Sequence, residues 1–360
     1  MKKYKVCVYA ISKNEEKFVD RWVDSMKEAD DIYVLDTGSS DNTVKKLKQR
    51  GINVSIKEIK PWRFDAARNE SLNIIPDKYD IYVCTDLDEV LVSGWREALE
   101  SKWTDNTTRA FYNYNWKLDE NNNPIVNFYT DKIHIRNNYK WVHPVHEVLE
   151  YQGIENYVTI DDIVLNHYPD INKSRSMYLP LLEQSVKENP NDDRNMHYLG
   201  REYMYYGKWQ ECIDTLKKHL GLPSSTWRDE RCASMRFISR AYQNLNNLDE
   251  SRNWLKKAIK EAPYLREPWI EMGLLEYYNN NWVDSIYYIE EALKIKEKSK
   301  SYINENFSWN ELPYDILSIC YFNIKNYEQS LSNINKAIEL NSKDERLKQN
   351  KEIIKEYINT

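Results

Sequence analysis

Residues 31–43 read DIYVLDTGSSDNT, a short apolar run that ends in a dense group of small and polar residues. The run has the length and composition of a buried strand. Asp41 or Asn42 is placed to cap a helix that starts at Thr43. A strand followed directly by a helix is half of a β-α-β unit, the arrangement that builds parallel sheets. The stretch therefore indicates a domain of the α/β class.

The alternation of strand and helix continues on both sides of this stretch. We predict strands over residues 5–11, 31–35, 53–59 and 80–84, and helices over residues 16–28, 43–50 and 65–75. This order predicts a mostly parallel sheet with helices on both faces. Ligands of such sheets bind at the carboxyl ends of the strands. Polar clusters follow the predicted strands at residues 12–14, 36–41 and 86–89, and a further one covers residues 63–69.

The pattern changes after Trp103. Residues 109–118 and 125–136 are strand-like and flank the turn-rich segment DENNNP, which predicts a hairpin. A further strand is predicted over residues 158–165 and a helix over residues 173–188. We therefore expect a first domain over residues 1–170, a connecting helix within residues 171–190 and a second domain over residues 191–360.

The second half of the chain carries a helical repeat. Small residues recur at spacings of 39, 34 and 45 residues, at Gly200, Ser239, Gly273 and Ser318. Each is followed at fixed distances by a large residue, a small residue and, except in the first repeat, an alanine: Trp209, Leu248, Trp282 and Tyr327; Cys212, Ser251, Ser285 and Ser330; His219, Ala258, Ala292 and Ala337. The spacing brackets the 34-residue period of tetratricopeptide (TPR) repeats. The sequence therefore predicts a TPR-like array, with His219 as a departure from the pattern and an insertion around residues 296–313.

Composition restricts the partners and the cellular compartment that we expect for the protein. The chain of 360 residues has a net charge of −6, which argues against a general nucleic-acid-binding protein. The five cysteines are scattered without a CxxC pair, which is typical of buried thiols in a reducing compartment. No segment approaches the ~18 apolar residues of a membrane span, and the N-terminus is too short in apolar residues for a signal peptide. We therefore expect a cytoplasmic protein.

A pair of carboxylates follows the fourth predicted strand. Asp86 and Asp88 are separated by one residue, so in an extended chain both side chains point the same way. Carboxylates at a strand end suit a hard cation such as Mg²⁺ or Mn²⁺. Such an ion can bridge a diphosphate and neutralise it as it leaves. An isolated Asp-x-Asp is nevertheless a weak indicator, because solvated acidic loops are common.

Four segments in order strengthen this interpretation: ISKNEE (11–16), VLDTGSSDNT (34–43), PWRFDAARN (61–69) and TDLDE (85–89). Together they resemble the inverting family 2 glycosyltransferases with a GT-A fold, over about residues 4–170. The resemblance implies a metal-dependent hexosyltransferase that uses Mn²⁺ or Mg²⁺ and a nucleotide-sugar donor, with a UDP-sugar expected.

The resemblance also implies roles for individual residues. The nucleotide would be bound by a set of residues at the strand ends: Ile11, Asn14, Glu15, Asp36 and Ser39. Arg68 would approach the base or the diphosphate, as a guanidinium can pair a diphosphate in bidentate fashion. Asp86 would contact the ribose or the metal. Asp88 would be a metal ligand and therefore part of the catalytic centre.

A second cluster, WVHPVHE, covers residues 141–147. It resembles a Val-His-Glu segment of soluble relatives that add sugars to lipopolysaccharide cores. An inverting transfer needs a carboxylate to deprotonate the acceptor, and Glu147 is the candidate base. The rival carboxylates are Asp131, Asp161, Asp162 and Asp170. His167 is a candidate third metal ligand, with a buried structural histidine as the alternative.

Two other functions stay open. A nucleotidyltransferase can share a similar sheet, although its Gly-rich phosphate loop is missing here, since residues 1–50 contain only Gly38. The third candidate is a non-catalytic repeat scaffold with a degenerate first domain. The Gln-x-x-Arg-Trp motif of processive polymerases is absent, which favours one or a few transfers per acceptor. For the repeats we expect a protein, peptide or glycan acceptor, or homodimerisation, because stacked helix pairs form extended binding surfaces.

Overall fold

The structure, a computed structural model, describes residues 4–358. The chain divides into two compact units. The first comprises Met1–Glu188 and Lys300–Tyr302, and the second comprises Asn189–Ser299 and Ile303–Thr360. Within the described residues, no helix combines the length and the apolar character needed to cross a membrane.

The first unit alternates strands and helices in its first half. The elements are β1 (Val6–Ser12), α1 (Val19–Met26), β2 (Asp31–Asp36), α2 (Thr43–Gln49), β3 (Asn53–Ile56), α3 (Phe64–Asn73) and β4 (Ile81–Cys84). Then follow β5 (Glu89–Leu91), α4 (Trp95–Lys102), β6 (Arg109–Leu118), β7 (Pro124–His134), β8 (Tyr139–Val142), β9 (Val148–Tyr151), β10 (Tyr157–His167) and α5 (Tyr178–Glu188).

Eight strands of this unit form one sheet among the described residues, in the order β3-β2-β1-β4-β7-β6-β10-β5. The β1–β2, β1–β4, β2–β3 and β6–β10 pairs are parallel, whereas β4–β7, β6–β7 and β5–β10 are antiparallel. Strands β8 and β9 pair separately. The predicted α/β architecture and the β6–β7 hairpin are confirmed, although the sheet is mixed, with four parallel and three antiparallel pairs. The more specific GT-A assignment stays a prediction.

A chain of buried hydrogen bonds joins strands β8, β1 and β7. The Trp141 indole N–H donates to the Tyr9 hydroxyl at 3.0 Å, and that hydroxyl lies 2.8 Å from His134 Nε2. His134 Nδ1 contacts the carbonyl oxygen of Ile135. A carbonyl only accepts, so Nδ1 carries the proton and Nε2 accepts from Tyr9. The network therefore requires a neutral imidazole in a fixed tautomer.

The second unit is helical. Its elements are α6 (Asp193–Tyr205), α7 (Trp209–Gly221), α8 (Arg228–Asn244), α9 (Leu248–Glu261), α10 (Glu267–Tyr278), α11 (Trp282–Lys294), a 3₁₀ turn (Asn306–Ser308), α12 (Leu312–Asn323), α13 (Tyr327–Leu340) and α14 (Glu345–Ile358). The predicted insertion forms the connection between α11 and α12, which contains the 3₁₀ turn.

The small residues of the repeat pattern lie where paired helices touch. A Cβ added to Gly200 would stand 2.4 Å from Leu216, and one added to Gly273 would stand 2.4 Å from Ile289. Ser285 Oγ donates to the Gly273 carbonyl at 2.8 Å. Contacts this close leave no room for a larger side chain. The small positions are therefore a packing requirement, as the repeat alignment predicts.

The buried His134 makes a pH-dependent contribution to stability. Burial lowers its pKa from the ordinary 6.5 to about 3. The folded state therefore keeps the ring neutral, and its contribution is complete above pH ~6.5 and is lost as the pH falls toward ~3. We expect a loss of at most about 1.4 kcal/mol of unfolding free energy per pH unit in this range. Urea unfolding of wild type and His134→Gln across this range measures it; equal pH slopes for the two proteins would contradict the assignment.

Candidate functional site

Asp36 organises the loop after β2. Its side chain is 1% exposed. Oδ1 accepts the backbone N–H groups of Gly38 (3.0 Å) and Ser39 (2.8 Å), and Oδ2 accepts the hydroxyls of Ser12 (2.9 Å) and Ser39 (2.5 Å). Gly38 has a φ of 108°, a conformation that favours glycine. The Asp36 carboxylate therefore holds residues 36–39 in a tight turn at the carboxyl end of β2.

The loop after β1 packs on this turn. The Asn14 backbone N–H donates to Ser39 Oγ at 2.8 Å, and Asn14 Oδ1 accepts from the Ser40 backbone N–H at 2.8 Å. Glu15, which is 8% exposed, is ion-paired with Lys173. Burial raises the pKa of Glu15, and the Lys173 ammonium opposes that rise. The predicted residues Asn14, Glu15, Asp36 and Ser39 thus lie in two adjoining loops.

Arg68 of α3 is a buried cation between two predicted site carboxylates. It is 2% exposed. Its Nη2 donates to Asp86 Oδ1 at 2.6 Å, its Nε donates to Glu147 Oε1 at 3.0 Å, and Nη1 lies 3.4 Å from Cys84 Sγ. The predicted residues Arg68, Asp86 and Glu147 are therefore brought together, although Glu147 follows Arg68 by 79 residues.

A second cation, which is half-buried, lies beside Asp86. Lys132 Nζ of β7 lies 3.4 Å from Asp86 Oδ2 and 3.5 Å from Glu89 Oε1. Burial disfavours the charged form of Asp86, but Arg68 and Lys132 outweigh it and hold the Asp86 pKa well below its usual range. Burial raises the pKa of Glu89, with Lys132 opposing. Tyr114 donates its hydroxyl to Glu89 Oε1 at 2.7 Å.

Asp88 and His167 form a separate pair. His167 Nε2 lies 3.4 Å from Asp88 Oδ2, and the side chains are 9% and 21% exposed, respectively. The ring stacks on Trp116 with centroids 4.4 Å apart, and Nδ1 lies 3.1 Å from the Trp116 carbonyl oxygen. That carbonyl fixes Nδ1 as the protonated nitrogen when the ring is neutral. Burial lowers the pKa of His167, but the Asp88 carboxylate has the larger, opposite effect. The pKa of His167 is therefore raised overall.

These donors fit a divalent cation. A metal-bound histidine commonly donates its other N–H to a carbonyl, which is the arrangement that Trp116 supplies for His167. With Nδ1 so held, Nε2 is directed at Asp88, and an imidazole and a carboxylate 3.4 Å apart can share one ion. The Asp86 oxygens face Arg68 and Lys132 instead. The side chains suited to hold an ion are therefore Asp88 and His167, while Asp86 is bound to two cations.

The other predicted residues lie elsewhere. Ile11 is buried against Leu35 and Ala67. The rival carboxylates have their own partners: Asp131 with Arg109, Asp161 with Tyr129, and Asp170 with Lys17. Asp162 lies exposed in β10. His143 and His146 have φ values of 78° and 51° in the turn between β8 and β9.

Sequence reasoning missed Lys132, Glu89 and Lys173 as members of this constellation. Glu89 was visible in the TDLDE segment but had no assigned role. Lys132 is 46 residues from Asp86, and Lys173 is 158 residues from Glu15. Lys132 is a lone lysine in a strand-like segment and Lys173 begins a predicted helix, and neither position identifies a partner.

The comparisons with known proteins concern the second unit. The tetratricopeptide repeat family matches residues 237–264 and 314–344. With the helix pairs and close small-residue contacts described above, the second unit contains tetratricopeptide repeats. The first unit carries none of the matched residues.

Several solved structures are similar to the chain. With the APC/C hetero-tetramer Cut9–Hcn1 the identity is 14% and the TM-score 0.41, over 51% of this chain and 33% of that one. With MamA the identity is 19% and the TM-score 0.39, over 49% of this chain and 97% of that one. With a thermophilic TPR protein of Thermus thermophilus the identity is 19% and the TM-score 0.36, over 50% of this chain and 89% of that one.

No curated protein matches the sequence significantly. The comparisons give no support to the family 2 glycosyltransferase resemblance. Taken alone, they support a repeat scaffold better than an enzyme. In the first unit, the features that point to chemistry are therefore its sequence motifs and the geometry of Arg68, Asp86, Asp88, Glu147 and His167.

Arg68 should be essential to the stability of the first unit. Arg68→Met leaves Glu147 without its guanidinium and Asp86 with Lys132 alone, so we expect a loss of about 3–5 kcal/mol in unfolding free energy. Arg50 offers a matched control, because it also bridges two carboxylates, Asp20 and Asp24, which are 64% and 62% exposed. Arg50→Met should cost about 1 kcal/mol or less. Equal losses in denaturant unfolding of the two variants would contradict the role given to Arg68.

Proposed function

We propose that the first unit is a metal-dependent inverting glycosyltransferase that uses a nucleotide-sugar donor. The main supporting observation is that Asp86 and Glu147 both bind the buried guanidinium of Arg68. Asp88, which follows Asp86 by two residues, is paired with His167. The resemblance assigned functional roles to these residues from sequence alone, and the contacts bring three of them together. A UDP-hexose is the proposed donor.

The proposed mechanism divides the work among these side chains. Asp88 and His167 would hold a divalent ion, which when bound supplies positive charge to the departing diphosphate. Arg68 and Lys132 keep Asp86 ionised and fixed at the strand end. Glu147 would take the proton of the acceptor hydroxyl as its oxygen bonds to the anomeric carbon. The bond to the nucleoside diphosphate breaks on the opposite face, so the configuration inverts.

The first test is release of nucleoside diphosphate from nucleotide sugars by the purified chain with Mn²⁺. Asp88→Asn removes a charged ligand, so we expect a rate loss of roughly 10²-fold or more. EDTA should inhibit the wild type. Asp77→Asn, a change at an exposed aspartate of the same unit, is the matched control and should keep full activity. Undiminished turnover by Asp88→Asn at limiting Mn²⁺, or by the wild type after thorough chelation, would contradict a metal role.

The same assay separates the alternatives. Release of pyrophosphate in place of nucleoside diphosphate would support the nucleotidyltransferase alternative. Absence of both products with every nucleotide sugar, together with no binding of any donor by calorimetry, would leave the repeat scaffold as the function of the chain.

Glu147→Gln tests the proposed base. The base acts on the acceptor, so turnover should fall by about 10²- to 10⁴-fold. Donor affinity measured by calorimetry should change little, because the amide oxygen can still accept from Arg68 Nε. Normal turnover would exclude Glu147 as the base and move the role to Asp161, Asp162 or Asp170. A large loss of donor affinity would indicate that Glu147 acts through Arg68 instead.

A second function, protein binding, is favoured by the tetratricopeptide repeats themselves. Stacked helix pairs offer an extended surface for polypeptides. Adjacent tyrosines on a helix point about 100° apart, which predicts that at least one of each pair leaves the core. Tyr278 and Tyr287 are 74% and 54% exposed, and Tyr205 and Tyr206 are 62% and 47% exposed. Their neighbours Tyr203, Tyr277 and Tyr288 are half-buried. Exposed aromatic side chains of this kind are typical contact residues.

The tyrosines provide a test of that function. We expect the double variant Tyr278→Ser/Tyr287→Ser to weaken self-association or acceptor binding by about tenfold or more, because buried aromatic anchors each contribute over 1 kcal/mol. Analytical ultracentrifugation measures the first and transfer to the native acceptor the second. Tyr157→Ser, at an exposed tyrosine of the first unit (65%), is the control. If the double variant and the control behave alike in both assays, these tyrosines have no binding role.

A further inference from the structure

Three metal-ligating side chains meet inside the second unit, at the contact between its first two repeats. They are His197 of α6, His219 of α7 and Glu230 of α8, which are 1%, 0% and 5% exposed. One ligand atom from each lies within 4.8 Å of the other two. The group contains none of the residues assigned to the proposed transferase reaction. Its three members come from three separate helices, so their convergence depends on the packing of the repeats.

One pair within the group already has the spacing of two ligands on a tetrahedral metal ion. His219 Nε2 lies 3.3 Å from Glu230 Oε1. Zinc bonds of about 2.0–2.1 Å at the tetrahedral angle place two ligand atoms about 3.3–3.4 Å apart. This pair therefore already has the required separation. The His197 and His219 ring centroids are 5.5 Å apart. The ligand atoms of the group lie at most 4.8 Å from one another. A shift of at most about 1.5 Å therefore brings them to the separation of about 3.3 Å that zinc requires.

Two hydroxyls hold the imidazole rings in place. Ser234 Oγ lies 2.8 Å from His197 Nδ1 and 3.0 Å from His219 Nδ1. The Ser234 oxygen has two lone pairs and can accept from the Nδ1–H of both rings. In that arrangement each neutral ring presents a lone pair at Nε2, the form that metals bind. Ser225 Oγ lies 3.0 Å from His219 Nε2 and supplies a further oxygen at the same point.

Packing of the repeats does not require these polar groups. Alanine stands at the position of His219 in the other three repeats: Ala258, Ala292 and Ala337. Proline stands at the position of Ser234 in the next two repeats, at Pro268 and Pro313. Fully buried imidazoles and a carboxylate are costly unless they are bonded or bind a metal. His219 and Ser234 are therefore polar additions to the contact between the first and second repeats.

We propose that His197, His219 and Glu230, with the Ser225 hydroxyl beside them, form a buried structural site for Zn²⁺ or a chemically similar transition-metal ion. Two neutral imidazoles and a carboxylate are a donor set that suits zinc. The carboxylate offsets part of the metal charge within the buried site. Because the ligands come from α6, α7 and α8, the ion would cross-link the first repeat to the second and stabilise the array.

The test is zinc binding by the full-length chain after removal of metal with a chelator. Asp88→Asn is included in every protein, so that the candidate site of the first unit does not contribute. A zinc titration against a chromophoric chelator should show one tight equivalent. His219→Ala and Glu230→Gln should each weaken zinc binding by at least about tenfold, since even outer partners of a metal site typically contribute that much. Added zinc should raise the melting temperature only when all three ligands are present.

Two features of the design keep the result decisive. His219→Ala introduces the residue that the other repeats have at this position, so the metal-free variant should fold, which circular dichroism checks. His143→Ala, a histidine change in the first unit, is the matched control and should leave zinc affinity unchanged. Absence of a tight equivalent in the parent protein would show that the group is only a hydrogen-bonded network. Equal zinc affinity in the parent, His219→Ala and Glu230→Gln would place any bound zinc elsewhere. Either result overturns the proposal.

Discussion

The architecture of the candidate site depends on one buried cation. The Arg68 guanidinium is 2% exposed and comes from α3, yet its partners follow β4 and precede β9. A buried charge of this kind persists only when carboxylates compensate it, because removing an ion from water costs several kcal/mol even in a relaxed protein. Asp86 and Glu147 are therefore held where the guanidinium directs them. Lys132 adds a second cation to Asp86, so the charge of the group is shared among four side chains on different elements.

The same contacts change the interpretation of the Asp-x-Asp pair. From sequence, alternate residues in an extended chain predict that Asp86 and Asp88 share one ligand. In the structure both oxygens of Asp86 face cations, whereas Asp88 faces His167. Similarly, both oxygens of Asp36 accept bonds from residues 12, 38 and 39. Two carboxylates that the resemblance assigns to ligand contact thus also maintain the loops at the strand ends.

The sequence predicted the parts of the fold that local patterns encode. The strands β1, β2 and β4 are apolar runs, and the β6–β7 hairpin flanks a turn-rich segment, so each has a local signal. The repeats were predictable because helix contacts as close as that of Gly273 with Ile289 restrict the position to small residues. The predictions did not include β5, β8 and β9, which span only three or four residues each.

Contacts between distant residues were the main part that the sequence could not provide. The pairing of Arg68 with Glu147 spans 79 residues, and that of Lys132 with Asp86 spans 46 residues. No spacing rule covers such separations, and only the family resemblance placed Arg68 and Glu147 in one site. For the buried histidines, His219 was visible as a departure from the alanine of the other repeats, but His197 and Glu230 stand at positions that vary among the repeats.

Donor chemistry distinguishes the Asp88–His167 pair from the buried group of His197, His219 and Glu230. Asp88 and His167 keep 21% and 9% of their side-chain surface exposed. Hard ions such as Mg²⁺ retain several waters and bind substrate phosphates, so they need an accessible position of this kind. His197, His219 and Glu230 are almost entirely buried and offer two nitrogens for one carboxylate. That combination of burial and donors favours zinc. The accessible pair is thus suited to a reaction, and the buried group is suited to structural support.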